Sequence, residues 1–216
     1  MNPTLACIVE GHGEVAALPI LLRRLAYEAG IYELNIPTPI RCPRSKYLRK
    51  AGGRLCLEER ELVRLIQLAV NKLPSAEAGA ILILLDADEA CPAEVGPQIL
   101  QLAHAVRPTI RFAVVLPKRE YEAWLLAALR SLAGKRNVVD APQVPERPEE
   151  IPDAKGYLTR QLRGDHRYSE TVDQPALSSL FSFAQAEACD SFRKLRKEFG
   201  SLLFHLFPGS QAAEAE

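Results

Sequence analysis

Methionine and tryptophan each occur once in 216 residues, and cysteine five times. Cys7, Cys42, Cys56, Cys91 and Cys189 are scattered, odd in number and never spaced as Cys-x-x-Cys. That argues against a disulfide framework and a cysteine-built zinc site, and suits a reducing cytosol. No stretch reaches the roughly 20 apolar residues of a membrane span. The first residues hold no charged segment followed by an apolar run and a cleavage site, so a soluble cytoplasmic protein is expected. An excess of one charge is missing too: Lys plus Arg and Asp plus Glu number 27 each. The balance gives no support for a basic nucleic-acid coat, although a local basic face is compatible with it. There is no Gly-x-x-x-x-Gly-Lys-Ser/Thr phosphate loop and no internal repeat.

What is present is a globular composition, 48% hydrophobic and 25% charged, of a length that fits one ordinary domain or a domain with a small appendage. The most informative stretch is Ala80 to Ala90. Its aliphatic run, Ile81 to Leu85, predicts a strand buried on both faces, as in a parallel sheet covered by helices. The run ends in Asp86, Asp88 and Glu89. Functional groups in such sheets sit at the carboxyl ends of strands. In extended chain Asp86 and Asp88 share a side, where they can hold one divalent ion. The plainer alternative is a solvated loop with one Asp capping the next helix.

Thr4 to Val9 predicts an earlier buried strand, ending in Glu10-Gly11-His12-Gly13-Glu14, with a helix over Val15 to Ala29. Gly11 and Gly13 permit a tight turn that sets Glu10 at a strand end and Glu14 in the first helical turn. Gly-x-Gly also matches half of a dinucleotide fingerprint, but the flanking acids carry the wrong charge to cradle a pyrophosphate. His12 is a ligand or proton shuttle in one reading and an exposed turn residue in the other. Asn35 to Arg41 predicts a strand that Pro37 and Pro39 confine to an edge. Cys42 to Gly53 reads as a basic loop, in which Arg44, Lys46, Arg49 and Lys50 surround Tyr47. It meets nucleic-acid phosphates or is simply solvated. A helix over Leu57 to Leu73 follows.

Helix Val95 to Val106 and strand Thr109 to Leu116 come next. The strand leads into a helix from Pro117 to Ala133, with Glu120 and Glu122 in its first turn beside Lys118 and Arg119. Dipole complementation explains one acid at a helix start well, and acids after three successive strands poorly. Gly134 to Pro152 reads as a loop and Ala154 to Arg163 as a short helix. Ala184 to Phe199 reads as a final helix, before a frayed tail after Pro208. The order implies an α/β fold: a Rossmann-like, mostly parallel sheet flanked by helices over 1–133, a small helical extension over 134–207 and a flexible tail over 208–216.

The predicted rim offers Glu10, Glu14, Asp86, Asp88, Glu120 and Glu122. These are hard oxygen ligands, suited to Mg2+ or Mn2+. Two ions about 3.5–4 Å apart need about this many carboxylates, and such pairs cleave phosphodiesters. Lys118 or Arg119 can neutralise charge developing on phosphoryl oxygens.

Glu10-Gly11 after one strand and Asp86-x-Asp88 after a later one resemble the signature of the Toprim domain. Glu14 and Glu120-x-Glu122 resemble its two-metal version in the OLD-type nucleases. Nearly the whole chain is similar to the bacterial domain of unknown function 4276 family. That similarity rests on Val9-Glu10-Gly11 with Glu14, Leu84 to Asp88, Arg119 to Trp124 and Tyr168 to Gln174. The resemblance implies a Toprim-like fold, with Glu10 as metal ligand or general acid/base and Asp86 and Asp88 on a first metal. It implies Glu14 and Glu120 or Glu122 on a second metal, with Lys118 or Arg119 near the scissile phosphate. It further implies a separate AAA/ABC-type ATPase subunit, in systems that defend bacteria against phage. A Mg2+- or Mn2+-dependent nuclease acting on DNA or RNA is therefore expected, and a homo-oligomer is compatible with it. A non-catalytic subunit docked on an ATPase and a phosphohydrolase acting on small nucleotides are the alternatives.

Overall fold

A computed structural model describes residues 2–51 and 54–209, leaving aside the side chains of 49–51, 54 and 55. Strand β1 (Thr4–Val9) is buried at all six positions and leads into helix α1 (His12–Glu28). Strand β2 is only Ile40–Arg41, because Pro37 and Pro39 just before it cannot donate to a ladder. Helix α2 (Arg44–Tyr47), strand β3 (Leu48–Ala51), strand β4 (Arg54–Leu57) and helix α3 (Glu59–Val70) follow. Of the basic loop expected over Cys42 to Gly53, residues 44–51 form a short helix and a strand, β3 pairing β4 antiparallel, and Gly53 lies outside the described residues. Tyr47, buried in the core at the end of α2, anchors it.

Strand β5 (Gly79–Leu84), helix α4 (Pro92–Val106) and strand β6 (Arg111–Val115) complete a four-stranded sheet of order β2-β1-β5-β6, parallel throughout. Side chains alternate across it. Leu5, Cys7, Val9, Leu82, Leu84 and Val115 face one core. Ala6, Ile8, Ile81, Ile83, Phe112 and Val114 face the other, against Leu62, Leu65 and Ile66 of α3 and Ile99 of α4. The continuous apolar runs follow from this burial on both faces.

The predicted helix Pro117 to Ala133 is two shorter ones, α5 (Glu122–Ala127) and α6 (Leu129–Leu132). Pro117 and Arg119 instead accept backbone bonds from Ala87 and Asp88, at 2.9 and 3.1 Å, which holds them in a loop beside the one after β5. Glu120 therefore lies before the helix and Glu122 begins it. A 3-10 turn (Pro148–Glu150) and helices α7 (Ala154–Arg160), α8 (Asp173–Ser178), α9 (Phe183–Ala186) and α10 (Asp190–Leu206) follow. The last two replace the single helix expected over Ala184 to Phe199. The break falls where Glu149 accepts from the backbone N–H groups of Asp190 and Ser191, at 2.9 and 3.2 Å, capping α10. Phe192, Leu195 and Phe199 of α10 join the same core as β1, β5 and α1, so the last third forms a layer of the sandwich. The expected tail lies largely outside the described residues. Among the described residues, no helix is long and apolar enough to cross a membrane.

Candidate metal centre

Parallel register aligns Val9, Leu84 and Val115 at one rim. Past that rim the chains keep company: Cys42 N–H donates to the Val9 carbonyl at 2.7 Å, and Leu85 N–H to that of Val115 at 3.3 Å. With the bonds to Pro117 and Arg119, these fix where the acids beyond each strand can reach.

Four of the six predicted acids meet in an inner pocket. Tyr47 Oη donates to Glu10 Oε2 and lies 3.2 Å from the Asp86 carbonyl, tying two strand ends together. Asp86 is nearly inaccessible, and its Oδ1 accepts from Tyr121 N–H at 3.1 Å. Glu14 accepts from Gly11 N–H across the first turn of α1, which is why α1 starts at His12. Glu122 has no exposed surface. Its Oε1 accepts from Tyr168 Oη at 3.0 Å and from Gln174 Nε2 at 3.2 Å, and the same amide reaches Glu14 Oε1 at 3.3 Å. Gly13 makes this approach possible. A Cβ there would stand 2.2 Å from Gln174 Oε1 and 2.6 Å from the Glu170 carbonyl.

The other two acids lie apart. Asp88 has φ of 49° and pairs with Arg44. Strand β5 ends at Leu84, so the alternation expected to place Asp86 and Asp88 on one side does not extend to them. Asp88, Arg44, Ser45, Arg119 and Glu120 line an open cleft of about 640 Å³. Glu120 stands at the border, 3.7 Å from Lys155 Nζ, which also reaches Glu170 at 3.0 Å and Glu122 Oε2 at 4.0 Å. Lys118 pairs with Glu150 at 3.6 Å, Lys46 is exposed, and the Arg49 and Lys50 side chains lie outside the described residues. His12 is an exposed residue at the start of α1.

The inner acids disturb one another. Burial, then Glu14, Glu122 and Glu10, lift the Asp86 carboxyl well above its ordinary range, and Lys155 only partly opposes this. Burial also raises Glu122, to about 7, against the pull of Lys155. Glu10 is raised by burial and by Glu14, while the Tyr47 bond and Arg44 draw it back. Glu122 Oε2 and Glu120 Oε2 are buried without a hydrogen-bond partner. A buried carboxylate oxygen in that state is costly, and a proton or a cation relieves it.

The family described as Domain of unknown function (DUF4276) matches residues 9–199. The chain belongs to the DUF4276 family. Searches of curated proteins and of solved structures each returned no match. The matched span of this DUF4276 protein runs from the end of β1 through most of α10, and so takes in every residue of the inner pocket.

Its donors are all oxygens, the set that hard divalent ions prefer, and Glu122 Oε2 has no hydrogen-bond partner, with Lys155 Nζ 4.0 Å away. Among the described residues no group of three or more His, Cys, Asp or Glu side chains is placed to hold an ion as it stands. Tyr47, Gly11 N–H, Tyr121 N–H and Gln174 each hold an acid instead. An entering ion has to exchange some of these bonds. Reading the sequence for acids at strand ends misses Tyr47, Lys155, Tyr168 and Gln174 as partners of the site. The Tyr168 to Gln174 segment stood out only through family resemblance.

Proposed function

We propose that this DUF4276 protein is a Mg2+- or Mn2+-dependent nuclease, hydrolysing phosphodiester bonds of DNA or RNA on a Toprim-like scaffold. The observation that carries this reading is wholly buried Glu122, whose Oε2 has no hydrogen-bond partner and only a distant lysine, set among acids from two other strand ends. Glu10, Glu14, Asp86 and Glu122 are the residues that would hold the ion. When bound, such an ion supplies an activated water near neutral pH and offsets phosphoryl charge. Tyr47 orients Glu10, which accepts a proton or a metal bond. Arg44 and Arg119, in the cleft beside the pocket, bind the phosphates of the strand. Lys46 and Lys118 extend that basic surface. A separate AAA/ABC-type ATPase and a role of phage-defence type rest on family resemblance.

Purified protein should cut DNA or RNA when Mn2+ or Mg2+ is added, and Asp86→Ala should abolish cutting. Cleavage that survives this substitution, or excess chelator, sinks the proposal. One observation favours a second reading, a non-catalytic subunit docked on an ATPase: each inner acid already has a protein hydrogen-bond donor. That reading predicts a stable complex with the ATPase and no cutting by either preparation.

A further inference from the structure

The rim opposite the acids, where Thr4 of β1 stands beside Gly79 of β5, carries a separate feature. A cleft of about 590 Å³ opens there next to Thr4. Tyr32, Glu33 and Asn35 line it from the link after α1, and Lys72, Leu73 and Pro74 from the link after α3. Both links are pinned to strand ends. Asn35 N–H donates to the Pro3 carbonyl and Leu5 N–H to that of Asn35, each at 2.9 Å. Thr4 N–H donates to the Ala78 carbonyl at 2.8 Å. The second link packs closely over Gly79, where a Cβ would stand 2.5 Å from the Ser75 carbonyl oxygen and 2.9 Å from Leu73 Cβ. The cleft is therefore preformed. Beside it the Tyr32 ring is 72% exposed and lies 5.4 Å from that of Tyr27, itself 51% exposed. Protein–protein interfaces are enriched in such side chains. Glu33 and Lys72 are exposed as well, and neither has an ion-pair partner among the described residues.

We propose that a second copy of this chain docks on this face, in a two-fold dimer that sets Glu33 of each copy against Lys72 of the other. Charge complementarity selects this occupant. One link brings an acid to the cleft and the other a base, so the patch complements itself under a two-fold rotation. A partner of a single sign, such as a nucleic-acid strand or an acidic peptide, would leave one of the two charges opposed. The formal net charge of zero sets up no long-range repulsion between copies. The inner pocket lies past the other ends of the strands, so the dimer leaves both acid sites open and does not depend on the metal reading.

Sedimentation equilibrium of the purified chain at micromolar concentration tests this, and the wild type should be a dimer. The two-fold repeats every contact, so Lys72→Glu turns two attractions into two repulsions and should weaken association by about a hundredfold. Glu33→Lys should act alike, and the double variant, Glu33→Lys with Lys72→Glu, should recover the dimer. Tyr32→Ser should weaken it by about tenfold. All three side chains are exposed, so the variants should melt like the wild type. A monomeric wild type, a dimer that Lys72→Glu leaves unchanged, or a double variant as weak as the single ones overturns the proposal.

Discussion

Asp86 and Asp88 are separated by one residue and live under opposite rules. Asp86 sits in the inner pocket among like charges, held by a backbone N–H and lifted well above ordinary carboxyl acidity. Asp88 sits in the open cleft, a third exposed, on an arginine. Outside, acids are matched by cations in water, where pairing contributes little. Inside, acids outnumber the cations, so their charge has to be met by protons or by something from solution. The contrast shows why position relative to the rim says more about an acid's chemistry than the Asp-x-Asp spacing does.

Asp86→Asn should break the contrast most strongly. The amide oxygen keeps the bond from Tyr121 N–H, so the fold survives, yet the proposed ion loses a ligand. Cleavage should fall by about a thousandfold, comparable to loss of a principal transition-state contact. A variant that melts like the wild type and still cuts at full rate removes Asp86 from the chemistry.

Next in size is the pH response of the ion-free protein. Glu122 moves from 4.5 to about 7 on folding, so the native state favours its neutral form. The stability this gives is complete below pH 4.5 and is lost as pH rises through about 7. The loss should approach about 3 kcal/mol, since each pKa unit is worth about 1.4 kcal/mol. Denaturant titrations from pH 4.5 to 8 would show it, and Mn2+ should flatten the decline by binding the ionised acids. Stability that rises across that interval contradicts the assignment.

Tyr168→Phe sharpens the same point on a smaller scale. It strips a donor from a buried carboxylate, worth about 1.5–3 kcal/mol when that group is charged. Chemical denaturation should show a larger cost at pH 8 than at pH 5. The smallest effect belongs to the cleft: Arg44→Ala should change stability by less than about 1 kcal/mol. It should weaken nucleic-acid binding and reduce the salt slope by about one. A stability loss as large as that of Tyr168→Phe would erase the difference between inside and outside.

The sheet was legible because its runs are unmistakable. Thr4 to Val9 and Ile81 to Leu85 have no polar interruption, and short runs of that kind suit a strand covered on both sides. The acids of the inner pocket were legible because they follow those runs directly. Less visible was everything that depends on contacts distant in sequence. Lys155, Tyr168 and Gln174 come from a stretch without strong periodicity, and the acids they reach beyond the strand ends lie 33 to 160 positions away. The hairpin after α2 was hidden by its many cations, which suggest solvent when read singly. The bend after β6 was hidden because good helix formers continue through Glu120, while the neighbouring loop ties their backbone down.

The contact of Gln174 with Gly13 has a bearing on how the protein comes into being. Every strand of the sheet is translated by residue 115, well before the amide that bridges Glu14 and Glu122. A nascent chain halted before Tyr168 owns the complete acid set and none of the late braces on Glu122. Assembly of a finished centre is thereby postponed until Gln174 has been made.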